Sequence, residues 1–427
     1  MQNSNRPAWT RAGPVGLCVA ATLLATVSAL AWPVSAGGDA APTGAGAVTI
    51  DNFTAKSTDG DVFTIARVEV DGANLSKDEI VKLLTPDTPA DEELALARKL
   101  KADKITIPSI DVAGKDGSKI HLAGLAATHV DQGKIDALDV ASVEGSGTDK
   151  GGPVAVKLGA IHFEGVDVAR LLVSDESAAA ALPPARLGGF TLAGLDVVAP
   201  DDAPGQSVHF AVGSIESHND YDGQSIKHGE TKISGVVVEP SPGSEAGKTL
   251  AAFGYSKLEL GLTAAVKYQA DAKTFTLENL TVDGAQMGAF GLSANFTDVA
   301  PALFGGDNGA RMQAALEAGV ASVEVKLVND GLFEKALAFT AKQQNVSPDA
   351  LRAKWSATIG QMAPLLLGGA PSTLAVAAEA QKFVAQPKNL TITVKAKSGA
   401  LKAGDFMAIT DPTEFAGKVD FAAAANR

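Results

Sequence analysis

The sequence contains few of the residues on which common protein chemistries depend. Of its 427 residues, one is cysteine, three are tryptophan and three are tyrosine. The cysteine, Cys18, and two of the tryptophans, Trp9 and Trp32, lie in the first 36 residues. If that segment is removed, no thiol remains, which excludes cysteine catalysis, thiolate metal sites and disulfides from the mature chain. The shortage of aromatic side chains also argues against a sugar-binding platform.

A surplus of positive charge is missing as well. The chain has 36 Lys and Arg against 49 Asp and Glu, a formal net charge of −13. Residues 1–36 contain Arg6, Arg11 and no acid, so the other 391 residues carry 34 bases and 49 acids, or −15. Nucleic-acid binding needs a clustered cationic surface, so this balance disfavours it. With 46% hydrophobic and 20% charged residues, the composition is globular rather than disordered.

Residues 1–36 have the order of a secretory signal peptide. Arg6 and Arg11 precede an apolar run over 15–31, and Val34-Ser35-Ala36 supplies small residues before a cleavage site. We therefore expect cleavage between Ala36 and Gly37, followed by a flexible linker over 37–47. The alternative is an uncleaved inner-membrane anchor, because a run of about 17 residues reaches the lower limit for spanning a bilayer.

The compartment that best fits such a leader is a bacterial periplasm. Six Asn-x-Ser/Thr triplets would be glycan acceptors in a eukaryotic secreted protein. Asn favours the turn before a strand and Thr favours the strand, however, so these triplets also arise without glycosylation. A cysteine-free extracellular domain of this size would be unusual in a eukaryote.

Alternating hydrophobicity predicts an antiparallel meander in the second half of the chain. Over 256–268, apolar residues occupy every second position, with polar residues such as Lys257 and Glu259 between them. The apolar positions are Leu258, Leu260, Leu262, Ala264, Val266 and Tyr268. This period of two predicts a half-buried strand, with further strands over 274–282 and 289–297.

An irregular repeat predicts bulged strands in the first half. Its copies align on Gly124, Gly165, Gly194, Gly235 and Asn279, and in the clearest copies the apolar residues run i, i+2, i+5, i+7. The alternation therefore slips by one at the Gly or Asn, as a β-bulge would produce, since these residues can take the positive φ that the extra residue needs. The spacing of the copies is too uneven for a propeller or a solenoid.

Short helices are predicted between the strands. Ser76 and Glu79 form a capping box, and Thr88-Pro89 predicts an N-cap with Pro at the first helical position. The longest helix is predicted to start at 347–349 and to place a stripe of Leu351, Trp355, Ile359, Met362 and Leu366 towards the core. The fold class expected is β-rich α+β: an elongated, curved antiparallel sheet with bulged strands, interspersed short helices and a helix-rich C-terminal part. The expected regions are a bulged-strand region over 48–254 and, over 255–427, a meander with helices.

Candidate phosphate and calcium motifs are incomplete. Gly247-Lys248-Thr249 lacks the glycine spacing of a P-loop, and the position that would need this glycine is Pro242. The segment 218–223 has a histidine where a calcium loop needs its first oxygen ligand, and Gly229 stands where the bidentate acid belongs. We expect a surface helix at the first motif and a polar hairpin turn at the second.

The six histidines all fall between His121 and His228, which is an unusual clustering. They are His121, His129, His162, His209, His218 and His228. No close pair has the spacing of a helical metal site, although neighbouring strands could bring His121 and His162 together. Solvent-facing strand histidines without a companion carboxylate pattern are expected, so no metal and no cofactor is predicted. Ser146, flanked by glycines, is expected in a loop and lacks the context of a hydrolase nucleophile.

The succession of bulged strands and short helices in this chain resembles that of the AsmA-like and YdgA-like envelope proteins of Gram-negative bacteria. Segments such as IHFEGVDVARLL and FTLAGLDVV, within an exported chain rich in Gly, Ala and Val, carry this resemblance over roughly residues 48–423. It implies a curved antiparallel sheet with an apolar concave face and a role in phospholipid transport or envelope homeostasis. No invariant motif accompanies it.

The leading hypothesis is a periplasmic, non-enzymatic protein that holds a lipid acyl chain in an apolar groove. Candidate groove residues are Leu258, Leu260, Leu262 and Val266, together with the apolar positions of the bulged repeats. Expected partners are phospholipid or a membrane surface, and neither nucleic acid nor nucleotide. An adaptor that binds another envelope protein, through an acidic face or the Trp355 helix, is the alternative. A hydrolase is a distant third hypothesis.

The leader makes a direct prediction about the exported protein. Its intact mass, measured after purification from the native envelope, should correspond to a chain that starts at Gly37, since the small residues before Gly37 fit signal peptidase. Full-length protein that stays in the membrane fraction would instead favour the uncleaved anchor.

Overall fold

The computed structural model describes residues 46–427 except 59, 87, 150–151, 173–184, 202–204, 224, 305–307, 367–368 and 410. The predicted signal peptide and its cleavage site at Ala36 and Gly37 lie outside the described residues. The predicted C-terminal boundary of the linker, residue 47, is too late, because a strand begins at Gly46.

The protein is β-rich α+β, as the sequence predicts. Among the described residues, 18 strands belong to one antiparallel sheet, and six of the nine helices follow residue 307. None of these helices combines the length and hydrophobicity that crossing a bilayer requires. The chain divides into two compact units. The first holds the described residues up to Glu216 together with Val238–Ser244, and the second holds Ser217–Val237 and Glu245–Arg427.

The strands follow one another along the chain in a meander. Those of the first unit are β1 (Gly46–Lys56), β2 (Val62–Ala73), β3 (Lys101–Ala113), β4 (Lys119–Asp131), β5 (Lys134–Val140), β6 (Ser142–Asp149), β7 (Gly152–Leu158), β8 (Ile161–Asp167) and β9 (Arg186–Pro200). Residues of β10 (Ser207–Asp222) and β11 (Ser225–Glu239) belong to both units. Those of the second unit are β12 (Leu258–Gln269), β13 (Thr274–Gly284), β14 (Gly288–Thr297), β15 (Gly319–Asn329), β16 (Asn389–Ala396), β17 (Leu401–Lys402) and β18 (Val419–Ala425).

The helices are short and stand between strands. They are α1 (Lys77–Leu84), α2 (Ala90–Lys99), α3 (Glu245–Ala252), α4 (Asn308–Glu317), α5 (Leu332–Gln344), α6 (Pro348–Leu366), α7 (Pro371–Ala385), α8 (Ala403–Ala408) and α9 (Pro412–Lys418), with 3₁₀ turns at Ala169–Leu172 and Pro301–Phe304. The capping box of α1 is confirmed, since the Ser76 hydroxyl accepts from the Glu79 amide and the Glu79 carboxylate accepts from the Ser76 amide. The N-cap predicted at Thr88 is wrong. Pro89 takes that position, and the Thr88 hydroxyl donates to the carbonyl of Lys82.

In the first unit, a filled core lies on one face of the sheet. Inward side chains from each of β1 to β9 contribute to one large cluster, which also includes Ile80 of α1, Leu96 of α2 and Leu100 at the end of α2. Most members of this cluster are buried, including Leu122, Ile161 and Leu192 of the repeats. The apolar positions of these repeat copies therefore pack against each other and are not an open groove.

In the first unit, the alternation of inward and outward side chains slips by one residue at the same level across the sheet. At this slip, which we call the two-residue step, two residues separate successive inward side chains instead of one. The inward residues that flank the step are Ile50 and Phe53, Ile65 and Val68, Ile107 and Ile110, Leu122 and Leu125, Val140 and Val143, Leu158 and Ile161, and Leu192 and Leu195. Because neighbouring strands step together, the pairing keeps its register across the step, as with Ile107↔Leu125 and Ile110↔Leu122. The step keeps the apolar side chains on one face where strict alternation would turn them outward.

The glycines of the repeat have the predicted positive φ, but they do not all shift the register of strand pairing as predicted. Gly124, Gly165, Gly194 and Gly235 have φ of 64°, 60°, 89° and 63°. At Gly124, Gly165 and Gly194 the register with the paired strands does not shift, so the bulges predicted there are wrong: the adjacent strands carry the extra residue as well. At Asn279 the opposite holds. The register of β13 shifts between Leu277 and Leu280, yet Asn279 is not among the residues of positive φ.

In the second unit, helices cover the end of the sheet at β18. Helix α7 packs on β18, and the Glu379 carboxylate accepts from the amide of Ala425 at 2.8 Å. The stripe predicted on α6 is core-facing at Leu351, which is buried, and at Trp355, which packs edge-on against Phe333 of α5. Met362 of the same stripe is exposed. The Trp355 side chain is therefore occupied within the unit.

Substitution at Gly124 tests the step. A Cβ at Gly124 would lie 2.8 Å from the Cβ of Ala141, whereas one at Gly194 would meet nothing within 4 Å. Gly124→Ala should lower the free energy of unfolding by about 3 kcal/mol, from backbone strain plus the clash. The control Gly194→Ala should cost only about 1 kcal/mol, from backbone strain alone. Equal shifts of the urea midpoint in the two variants would contradict a close approach at Gly124.

Substitution at Glu379 tests the cover on β18. Its pKa is held below the ordinary value by Lys382, and further by the Ala425 amide, so the carboxylate keeps its charge on mild acidification. Glu379→Ala should speed amide exchange at Ala425 several-fold, while Glu379→Gln, which keeps an acceptor oxygen, should preserve most of the protection. In the unsubstituted protein, protection should fall only as the pH drops through that lowered pKa. Unchanged exchange in Glu379→Ala would refute the contact.

Candidate functional site

The four residues predicted for the groove lie on one face of β12. Leu258, Leu260, Leu262 and Val266 are all half-buried. Strand β12 alternates without interruption, since the extra residue of its pairing with β13 belongs to β13. The four side chains therefore project to the same side.

Cross-strand register extends this side over six strands, as residues directly opposite in an antiparallel pair share a face. Each row below runs across the strands in the order β12, β13, β14, β15, β16 and β18. The first row is Leu262, Val282, Phe290, Leu327, Leu390 and Ala425, and the second is Ala264, Leu280, Leu292, Val325, Ile392 and Ala423. The third row is Val266, Leu277, Ala294, Val323, Val394 and Phe421, and the fourth, on β12 to β15 only, is Tyr268, Phe275, Phe296 and Val320. We call these four rows the apolar face. It contains no charged side chain, and strand and residue spacings make it about 24 Å by 20 Å.

The apolar face is only partly covered. Val282 and Phe290, which are register partners in the first row, remain 38% and 43% exposed. Most of the other members are half-buried, in contrast to the core of the first unit. This partly covered apolar surface is the candidate binding site of the second unit.

Polar contacts close the two ends of the apolar face. At the fourth row, the Tyr268 hydroxyl donates to the carbonyl of Val299 at 2.9 Å, and its ring packs on Phe304. Burial raises the pKa of the Tyr268 hydroxyl, which stays neutral and keeps donating. Beyond the first row, Asn329 accepts from the amide of Phe333 and donates to the carbonyl of Pro387, at 2.8 and 2.9 Å.

The opposite face of the same strands is polar. Asn279 donates to Thr263 and accepts from Thr281, and Asn295 donates to Ser322. Glu324 of β15 accepts from Thr393 and contacts Lys326 at 2.9 Å, and the hydrogen bond from Lys326 holds the pKa of Glu324 below its ordinary value. The sheet of the second unit therefore has one polar face and one apolar face.

A recess of about 470 Å³ lies beside β12 on the polar face. Its lining from β11, β12 and β13 includes Lys232, Glu259 and Asp283 together with the predicted Leu260 and Leu262. The space exists in part because Gly261 has no side chain: a Cβ there would lie 2.7 Å from the carboxylate of Asp283. Gly261 and Asp283 are register partners on the face opposite Leu262 and Val282, so these ionic groups do not lie beside the apolar rows.

Each histidine has an acidic partner, which the sequence interpretation missed. His121 with Asp111, His162 with Asp139 and His209 with Asp196 approach to 2.7 Å, His129 with Asp136 to 3.2 Å, His218 with Asp220 to 3.3 Å and His228 with Glu230 to 3.5 Å. Four of these partners lie on another strand, so sequence spacing could not reveal them. Within the described ranges, no group of three or more His, Cys, Asp or Glu side chains could hold a metal ion.

One histidine shares a recess of about 420 Å³ in the first unit with Ser146. Ser146 lies in strand β6, not in the loop that was predicted. The His121 ring contacts Asp111, but no hydrogen bond among the described residues joins Ser146 to His121. The arrangement supplies an exposed acid–base pair without the serine contact of nucleophilic catalysis.

The remaining sequence motifs have structural roles. Gly247-Lys248-Thr249 lies within α3, and 218–223 forms the end of β10 and the turn into β11, as the sequence predicts.

Comparison with known proteins adds no activity. A family model described as an uncharacterized protein matches residues 281–426. That range holds β14 to β18 and α4 to α9, and so most strands of the apolar face. No curated protein matches the chain.

Proposed function

We propose that this protein is a periplasmic, non-enzymatic lipid-binding protein that holds an acyl chain on the apolar face of its second unit. The observation that carries the proposal is the run of uncharged rows across six strands, open at Val282 and Phe290. A role in lipid transport or envelope homeostasis would follow from reversible binding.

The dimensions of the apolar face suit an acyl chain. One leaflet of a bilayer has a hydrocarbon thickness of about 15 Å, half of the whole core, and the four rows extend about 20 Å along the strands. Each methylene buried contributes about 0.8 kcal/mol. Partial cover of the rows would therefore give a single chain useful affinity without a closed cavity.

Two matched variants test the proposal. Val282→Asp places a charge on the apolar face, and Val328→Asp places the same charge at a comparably exposed valine, 51% exposed, on the opposite face of β15. Val282→Asp should weaken binding of a fluorescent fatty acid at least about tenfold, because a carboxylate is costly beside an acyl chain. Val328→Asp should bind as the unsubstituted protein does.

The native ligand provides a second measurement. Native mass spectrometry and lipid extraction of protein purified from its own envelope should find a bound lipid. Equal fatty-acid binding by the two variants, or one stoichiometric protein partner in place of lipid after crosslinking in cells, would refute lipid binding and favour the adaptor.

A further inference from the structure

Lys335 of α5 is a half-buried cation without an acidic partner. Among the described residues of the second unit, the half-buried lysines are Lys335 and Lys418, and Lys418 pairs with Asp405 at 3.3 Å. The Lys335 ammonium instead lies 3.5 Å from the centroid of the Tyr255 ring and donates to the carbonyl of Gly254 at 3.4 Å. An ammonium has three donors, so two of them remain for an anion.

The ring beneath Lys335 is bonded to the turn between β13 and β14. Tyr255 is buried, and its hydroxyl donates to the carbonyl of Gln286 at 3.0 Å. Gln286 lies in the turn that joins the strand of Val282 to the strand of Phe290. The Lys335 ammonium is therefore held at the first-row end of the apolar face, the end that is exposed at these two residues.

Helix α5 starts on the apolar side of the sheet. Asn329 lies two residues beyond Leu327 and shares its face. Its side-chain oxygen accepts from the amide of Phe333 at 2.8 Å, and the amide of Leu332 donates to the carbonyl of Met287 at 3.4 Å. These contacts place the first turn of α5, which contains the lysine, on the same side as the four rows.

The acids closest to Lys335 in sequence and along the strands do not neutralise it. Glu334 precedes it in α5, but the Glu334 carboxylate accepts from the side chain of Asn329 at 2.8 Å. Asp330 is exposed in the turn before α5. Asp283 of β13 lies on the polar face, opposite the rows. The positive charge at the first-row end is therefore available to a ligand.

We propose that Lys335 binds the anionic head, a carboxylate or a phosphate, of an acyl ligand whose tail lies on the apolar face. The proposal rests on the lipid-binding function proposed above and adds the chemical class of the ligand. The tail extends from the first row towards the fourth, where the Tyr268 hydroxyl and the Phe304 ring close the face. The rows themselves contain no charged side chain, so the head is recognised at their end.

Three ligands with the same alkyl chain and different heads test this site: dodecanoate, dodecyl phosphate and 1-dodecanol. In isothermal titration calorimetry of the mature chain, at least one of the two anions should bind about tenfold more tightly than the alcohol. The anion that binds more tightly identifies the head as carboxylate or phosphate. Lys335→Met should abolish the preference for an anion and leave the affinity for 1-dodecanol unchanged, whereas Lys335→Arg, which keeps the charge, should retain most of the preference.

The matched control is Lys342→Met. Lys342 is exposed and lies about two turns further along α5, so this variant should keep the full preference for an anion. Unchanged binding of 1-dodecanol by Lys335→Met shows that the variant retains its fold.

The outcomes separate this proposal from the proposed function. Equal binding of all three ligands by the unsubstituted protein, or an equal loss of all three in Lys335→Met, would overturn recognition of the head by Lys335 and leave lipid binding standing. If the unsubstituted protein binds none of the three, the lipid-binding function itself fails. Loss of all three in Val282→Asp, with the anion preference lost only in Lys335→Met, supports both proposals.

Discussion

Register between neighbouring strands is the constraint on which both units depend. A strand that slipped by one residue alone would turn its apolar side chains to solvent. In the first unit the step lies at the same level in β1 to β4 and β9, between β5 and β6, and between β7 and β8, so inward residues such as Leu122 and Leu125 stay opposite inward residues of both neighbours. This agreement allows a single filled core to extend over all of these strands.

The second unit uses register differently. Its extra residues fall on single strands, at Glu278–Asn279 of β13 and Ala321 of β15, while β12 alternates without a break. The apolar rows nevertheless stay aligned over six strands. Helices and turns close the ends of these rows, and Val282 and Phe290 in the first row stay accessible, which leaves part of this face open.

Local patterns predicted most elements correctly where the signal lay within one segment. The alternation around Leu260 predicted β12, the Ser76 capping box predicted α1, and positive φ at Gly194 followed from the lack of a Cβ. Failures occurred where a neighbour decides the outcome. Gly124 makes no bulge, because the neighbouring β3 and the neighbouring pair β5 and β6 carry an extra residue at the same level. The acidic partner of His121 is Asp111, which lies on β3 and not nearby in sequence.

By itself, the amino-acid sequence determined the fold class, the apolar character of the strands and the absence of thiols after residue 36, because composition and period are properties of single segments. Only the tertiary structure decided which apolar residues form a filled core and which form an open face. Leu122 and Leu262 each follow another apolar residue by two positions, Ile120 and Leu260, yet one is buried and the other is half-buried. Burial depends on what packs over a strand, and that is a property of the assembled sheet and its helices.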